Sequence, residues 1–200
     1  MISGRLRELP DSDTLVGVGG AALWLPAVSA ANARCIAGAG NGLALGTLAL
    51  TANRIYAIPF VLASPLTITR LAIAVSTLTS GTAYVGLYND AVASGLHQPG
   101  TQIVVTGGLN TGSTGEKIAT VTTTTLKAGV VYWAAVTGSG AATLRALAGG
   151  GVMSMLGFSI NATTAISLLY VAGSGTLPSD LSGSSFTADV TAVPAIYLAL

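Results

Sequence analysis

From residue 43 onward the chain is a succession of short apolar and β-branched runs, broken by Gly, Ser, Asn and Pro. The runs fall at 45–50, 55–62, 67–76, 83–88, 102–106, 117–123, 130–136, 143–147, 157–161, 166–171 and 193–200. They are rich in Val, Ile, Thr and Tyr and recur about every 8–12 residues, the spacing of a sandwich or barrel rather than of strand–helix–strand units. Several alternate with period two. Leu71, Ile73 and Val75 fall on one side, with Arg70, Ala72, Ala74 and Ser76 on the other. Val131, Trp133 and Ala135 alternate with Tyr132, Ala134 and Val136, and Ile196, Leu198 and Leu200 share a face. No stretch keeps a helical period between capping residues, and a short helix near 30–36 is the single helical expectation. The predicted fold class is all-β, a β-sandwich or jelly roll with an extended N-terminal arm.

The N-terminal part reads differently. Arg5, Arg7, Glu8, Asp11 and Asp13 crowd into nine residues, and Pro10 and the run Gly17-Val18-Gly19-Gly20 then block regular structure. Residues 1–42 are expected to form an arm and linker, anchored at Trp24-Leu25-Pro26, and residues 43–200 the sandwich domain. Arg5, Arg7, Glu8, Leu9, Asp11 and Asp13 are the candidate assembly residues of the arm. The first residues have no apolar core and carry acids, so no secretion signal is expected.

Charge changes the picture. Eight Lys and Arg stand against seven Asp and Glu, only 8% of the chain, where a typical soluble domain carries about 25%. With 26 glycines and abundant Thr, Ser and Ala, the surface must be built of small neutral groups. Removing a hydroxyl or methyl from water costs far less than removing a charge, so such a surface favours subunit packing. A net charge of +1 with no basic run argues against a nucleic-acid partner, since phosphate binding needs clustered Lys and Arg. The apolar stretches 21–50 and 152–172 are interrupted by Pro26 and Arg34, and by Ser154, Gly157 and Asn161, so no spanning helix of about 20 apolar residues is expected. The single Cys35 excludes an internal disulfide and suits a reducing cytoplasm.

Candidate chemistry is sparse. His97 is the one histidine and Asp90 its nearest acid, but no Gly-x-Ser-x-Gly elbow supplies a nucleophile. One His and one Cys cannot close a zinc site. Outside the arm only Asp90, Glu116, Asp180 and Asp189 could form a carboxylate pair. The expectation is a protein without catalysis, metal or cofactor. Sugar binding on a β-sandwich would use exposed aromatics flanked by polar groups, and Tyr84, Tyr88, Asn89, Asp90 and His97 are the candidate glycan contacts. The opposing reading places strand aromatics such as Tyr88, Tyr132, Trp133 and Tyr170 in the core, where a large ring contributes most.

Over residues 54–136 the sequence resembles the small β-sandwich domains of tailed-phage virion proteins of the head-decoration, head-fibre and tail-fibre type. The resemblance rests on Arg54-Ile55-Tyr56-Ala57-Ile58-Pro59-Phe60, Ile68-Thr69-Arg70-Leu71-Ala72-Ile73-Ala74-Val75, Tyr84-Val85-Gly86-Leu87-Tyr88-Asn89-Asp90, a Pro99-Gly100 turn, and Leu126-Lys127-Ala128-Gly129-Val130-Val131-Tyr132-Trp133. The stretch 4–15 is similar to the leader of phage fibre proteins. The resemblance implies jelly-roll topology, a homotrimer and a virion protein made in the host cytoplasm. It places the chain as a capsid decoration or cement protein that docks on the major capsid or other virion proteins. The alternative is a tail- or head-fibre receptor-binding module that recognises host surface glycans.

Overall fold

The computed structural model describes residues 22–23, 34–37, 45–93, 95–147, 168–189 and 192–199. Every regular element among them is a strand: β1 (Ala22–Leu23), β2 (Arg34–Ala37), β3 (Leu45–Ala49), β4 (Arg54–Leu62), β5 (Leu66–Thr77), β6 (Thr82–Ala93), β7 (Leu96–Val105), β8 (Leu109–Asn110), β9 (Gly115–Leu126), β10 (Val131–Gly138), β11 (Thr143–Leu147), β12 (Leu168–Ala172), β13 (Thr187–Asp189), β14 (Val193–Pro194) and β15 (Ile196–Ala199). They form two sheets. The first runs β13-β12-β4-β10-β6-β7, with β1 added to β4 and β8 to β6; the second runs β14-β11-β5-β15-β2, with β3 on β11 and β9 on β5. All pairings are antiparallel except the short parallel pair of β1 and β4. The protein is a β-sandwich.

The main core lies between the sheets, where the alternation predicts it. Tyr56, Ile58, Phe60 and Leu62 of β4 and Tyr132, Ala134 and Val136 of β10 meet Leu71, Ile73 and Val75 of β5 and Ile196 and Leu198 of β15. Phe60 and Tyr132 pack as tilted rings 5.9 Å apart, a separation at which the ring quadrupoles attract.

β4 and β10 are buried on both faces. The reason is a strap, residues 173–186, that leaves β12 and crosses the outer face of the first sheet to its far edge. There Gln102 N donates to Ser179 O at 2.8 Å and Leu181 N to Gly100 O at 3.0 Å, and the chain then returns to β13. Beneath it a second apolar cluster forms from Ile55, Ala57, Tyr88, Trp133, Ala135 and Leu181, with Leu177 and Phe186 packed against it. Pro59, paired with Trp133 inside β4, is tolerated because it falls between the stretch that pairs with β12 (Arg54 to Ala57) and the stretch that pairs with β1 (Val61 and Leu62). Its missing N–H is not needed by a neighbour there.

Three expectations are corrected. Arg34–Ala37, the end of the segment read as a possible helix, is strand β2, paired with β15. β1 and β2 both lie within 1–42 and belong to the sheets, so the linker contributes to the sandwich rather than only leading to it. Pro99-Gly100 is not a turn but part of β7. The arm residues Arg5, Arg7, Glu8, Leu9, Asp11 and Asp13, the anchor Trp24-Leu25-Pro26 and the run 157–161 lie outside the described residues.

Candidate functional site

Beyond the Asn89–Tyr132 pair, β6 has no partner on its β10 side among the described residues, yet it continues with β7 through Asp90–Pro99, Ala91–Gln98, Val92–His97 and Ala93–Leu96. These four pairs form a two-stranded ribbon that projects roughly 13 Å past the sheet, at about 3.3 Å per residue. The strands reverse through Gly95, whose φ of +78° lies in the left-handed region that glycine enters without penalty.

An unsupported two-stranded ribbon is marginal in water, and this one is braced at its root. Trp133 Nε1 donates to Asp90 Oδ1 at 2.8 Å, and His97 Nδ1 lies 2.6 Å from Asp90 Oδ2. A carboxylate only accepts, so the imidazole carries its proton on Nδ1. Asp90 is the diagonal neighbour of both residues: Tyr88 pairs with Trp133, and Pro99 with Asp90. Tyr88, Trp133, Asp90 and His97 point to the same outer face, as the period of two requires. On the other strand the Gln98 amide donates to Ser182 O of the strap, and the Asn89 amide donates to Thr101 Oγ1 at 3.2 Å. Gly100 allows the strands to close here, since a Cβ on it would meet Ala91 Cβ at 2.9 Å and Asn89 O at 3.3 Å.

The strap is fixed by the same neighbourhood. The Tyr88 hydroxyl donates to Pro178 O at 2.7 Å, and the Gln102 amide donates to Pro178 O and to the Tyr88 hydroxyl. Burial pushes the Tyr88 phenol up to about 12, partly offset by the Gln102 hydrogen bond. At the tip of the strap, the Asp180 carboxylate accepts from the Ser182 N–H and hydroxyl, which hold it below the usual carboxylate range.

The ribbon's far end is apolar and wet. Val92 is 63% exposed and Leu96 71%, and Val130, one residue before β10 at the same end of the sheet, is 40% exposed. Apart from the root pair of Asp90 and His97, the ribbon carries no charge.

Of the predicted glycan contacts, Asp90 and His97 come together at the root, while the Asn89 side chain is engaged with Thr101. Tyr88 does not join them, because it is fully buried beneath the strap with its hydroxyl satisfied. Trp133 is buried likewise. Tyr84 is half-buried on β6, and Tyr170 is half-buried with Arg54 stacked 4.2 Å from its ring centre. Among the described residues no aromatic platform is open on this face. The acid nearest His97 in sequence is its partner in space, but among the described residues no hydroxyl or thiol is hydrogen-bonded to the ring, and no group of three His, Cys, Asp or Glu could hold a metal. Among the described residues no helix is long and apolar enough to cross a membrane. The Trp133–Asp90 link and the strap had no signature in the sequence beyond an indole N–H that must find a partner once buried.

A scan against protein-family models finds none that matches the chain, and a search of curated proteins finds no matching relative.

Proposed function

We propose that this chain is a non-enzymatic structural protein of a tailed-phage particle, a capsid decoration or cement protein that packs against copies of itself and against neighbouring shell subunits. The observation that carries the reading is the β6–β7 ribbon: a rigidly rooted projection whose exposed end is aliphatic, on a chain with only eight cationic and seven anionic side chains. Exposed aliphatic groups gathered at one projecting end mark an interaction surface, and with so few charges the surrounding surface can be desolvated at low cost. The viral setting is supported by the sequence resemblance over residues 54–136. The fibre reading with glycan recognition is less well supported, because Tyr88 and Trp133 are interior and Tyr84 is half-buried. His97 and Asp90 brace the ribbon, a role that requires no turnover.

The test is quantitative mass spectrometry of purified particles. A copy number close to that of the most abundant shell protein is expected. A number far below it would move the chain to the tail or a fibre, and its absence from particles would overturn the viral assignment.

A further inference from the structure

We propose that the ribbon is a self-pairing element: the free edge of β6 over Asp90–Ala93 joins the same edge of a second copy, antiparallel and about a two-fold axis at Val92. The proposal rests on the self-association reading above and replaces the threefold contact implied by the resemblance with a two-fold one at this surface.

The first support is the ladder itself. β6 loses its β10 partner after Asn89 but stays extended to Ala93, so this short edge presents backbone donors and acceptors with no strand beside them among the described residues. Such an edge is a template for another strand unless it is blunted by charge, proline or a bulge. β7 shows what a blunted edge looks like. Pro99 removes a donor, Gln98 is engaged by the strap, and Thr101 bridges Asp180. Ala91, Val92 and Ala93 carry none of these devices, while the charge of Asp90 and the register irregularity between Tyr88 and Asp90 stand at the root, before this stretch.

The second support is the pattern of side chains. Pairing about Val92 sets Val92 against its own copy and Ala91 against Ala93, and it places the two Asp90 carboxylates at opposite ends of the new ladder. Each carboxylate already accepts hydrogen bonds from Trp133 and His97 of its own chain, and the two stand two residues either side of the axis, so like charges are not set directly opposite each other. The four-stranded ribbon would cover Val92, now 63% exposed, and supply the lateral partner that a lone hairpin lacks. An isologous contact of this kind closes on itself, using one patch twice.

The full-length chain is examined by light scattering after size exclusion, as wild type, as Val92→Asp, as Val92→Lys, and as an equimolar mixture of the two variants. On the axis each variant opposes its own charge. Wild type should elute at twice the chain mass or a multiple of it, and each variant at half the wild-type mass. The mixture should regain the wild-type mass through Asp–Lys pairs. A second readout does not depend on how the charged variants fold. In a Cys35→Ser background, Val92→Cys should form a disulfide-linked pair under mild oxidation, because the two new thiols face each other at a distance that pairing strands provide. A monomeric wild type, variants that keep the wild-type mass, a mixture that stays dissociated, or a cysteine variant that does not cross-link overturns the proposal. If the chain is present in particles while these outcomes hold, only the ribbon pairing falls. If it is absent from particles while pairing holds, only the virion assignment falls.

Discussion

The indole Nε1 of Trp133 reaches Asp90 Oδ1 at 2.8 Å from a strand 43 residues away, tying the interior of the sandwich to the base of its projecting ribbon. The acceptor is a carboxylate with a side chain only 19% exposed, and hydrogen bonds to charged groups contribute about 1.5–3 kcal/mol. Trp133→Phe keeps a ring in the apolar cluster and removes the donor. It should lower the unfolding free energy by about 2 kcal/mol or more, with part of the loss coming from the smaller ring, and urea denaturation measures it. His97→Ala removes the other donor from a ring that is 61% exposed, where ion pairs contribute about 0–1 kcal/mol. The ordering Trp133→Phe well above His97→Ala is the prediction, and equal effects would remove the indole from its bracing role.

Gly100 controls how closely the ribbon strands approach at the root. An added Cβ would sit 2.9 Å from the Cβ of Ala91, which has no rotamer to yield. Gly100→Ala should therefore push β7 off β6 locally, at about 1–3 kcal/mol as for other overpacked sites. Hydrogen exchange would show the amides of Asp90–Ala93 and Leu96–Gln98 exchanging faster than in wild type, with those of β4 and β10 unchanged. Protection unchanged across the ribbon would show that the close approach is not needed.

Much of the sandwich was legible in the residues, and the misses have physical causes. Thr143–Leu147 is a strand over the predicted residues, and Leu71, Ile73 and Val75 face the core as their alternation requires. The stretch between the runs 83–88 and 102–106 is expected to turn at Pro99-Gly100, since both are poor residues for a central strand. β7 is an edge, where proline's missing N–H leaves no neighbour unpaired. Alternation separates Trp133 from Tyr132 but does not say whether the face that Trp133 occupies is wet. The strap that buries it is a Gly- and Ser-rich segment whose Leu177, Leu181 and Phe186 follow no strand or helix period. The site was half legible: proximity in sequence suggested Asp90 with His97, whereas the Trp133 link depends on the register of β10 on β6.

Thr137 lies on the outer face of β10, paired with Tyr84, completely buried and with no hydrogen-bond partner for its hydroxyl among the described residues. A buried hydroxyl without a partner costs about 1–3 kcal/mol in desolvation. Thr137→Val keeps the β-branched shape and removes that group. It should be neutral or raise the unfolding free energy by about 1 kcal/mol, in contrast with most core substitutions, which destabilise. A loss of stability on thermal or urea denaturation would mean that the hydroxyl makes a favourable contact.

Tyr88 gives the fold a pH dependence with a defined sign. Its phenol is pushed up to about 12 from an ordinary value of 10.0 because ionisation would place a charge in the apolar cluster under the strap. Between these two values the folded protein holds a proton that the unfolded chain releases, so stability falls as pH rises. The contribution is fully present below about pH 10 and is lost through about pH 12. Tyr88→Phe removes the titration and also the hydrogen bond to Pro178 O. It should lower stability at neutral pH by about 1 kcal/mol while flattening the alkaline decline relative to wild type. Other tyrosines and lysines titrate in the same range in both proteins, so the informative quantity is the difference between the two urea-denaturation curves plotted against pH. That difference should shrink above pH 10 and then change sign, because a rise from 10.0 to about 12 outweighs one lost hydrogen bond. A constant offset up to pH 12 would show that the phenol ionises as freely in the folded chain as in the unfolded one, and that the strap does not keep water from it.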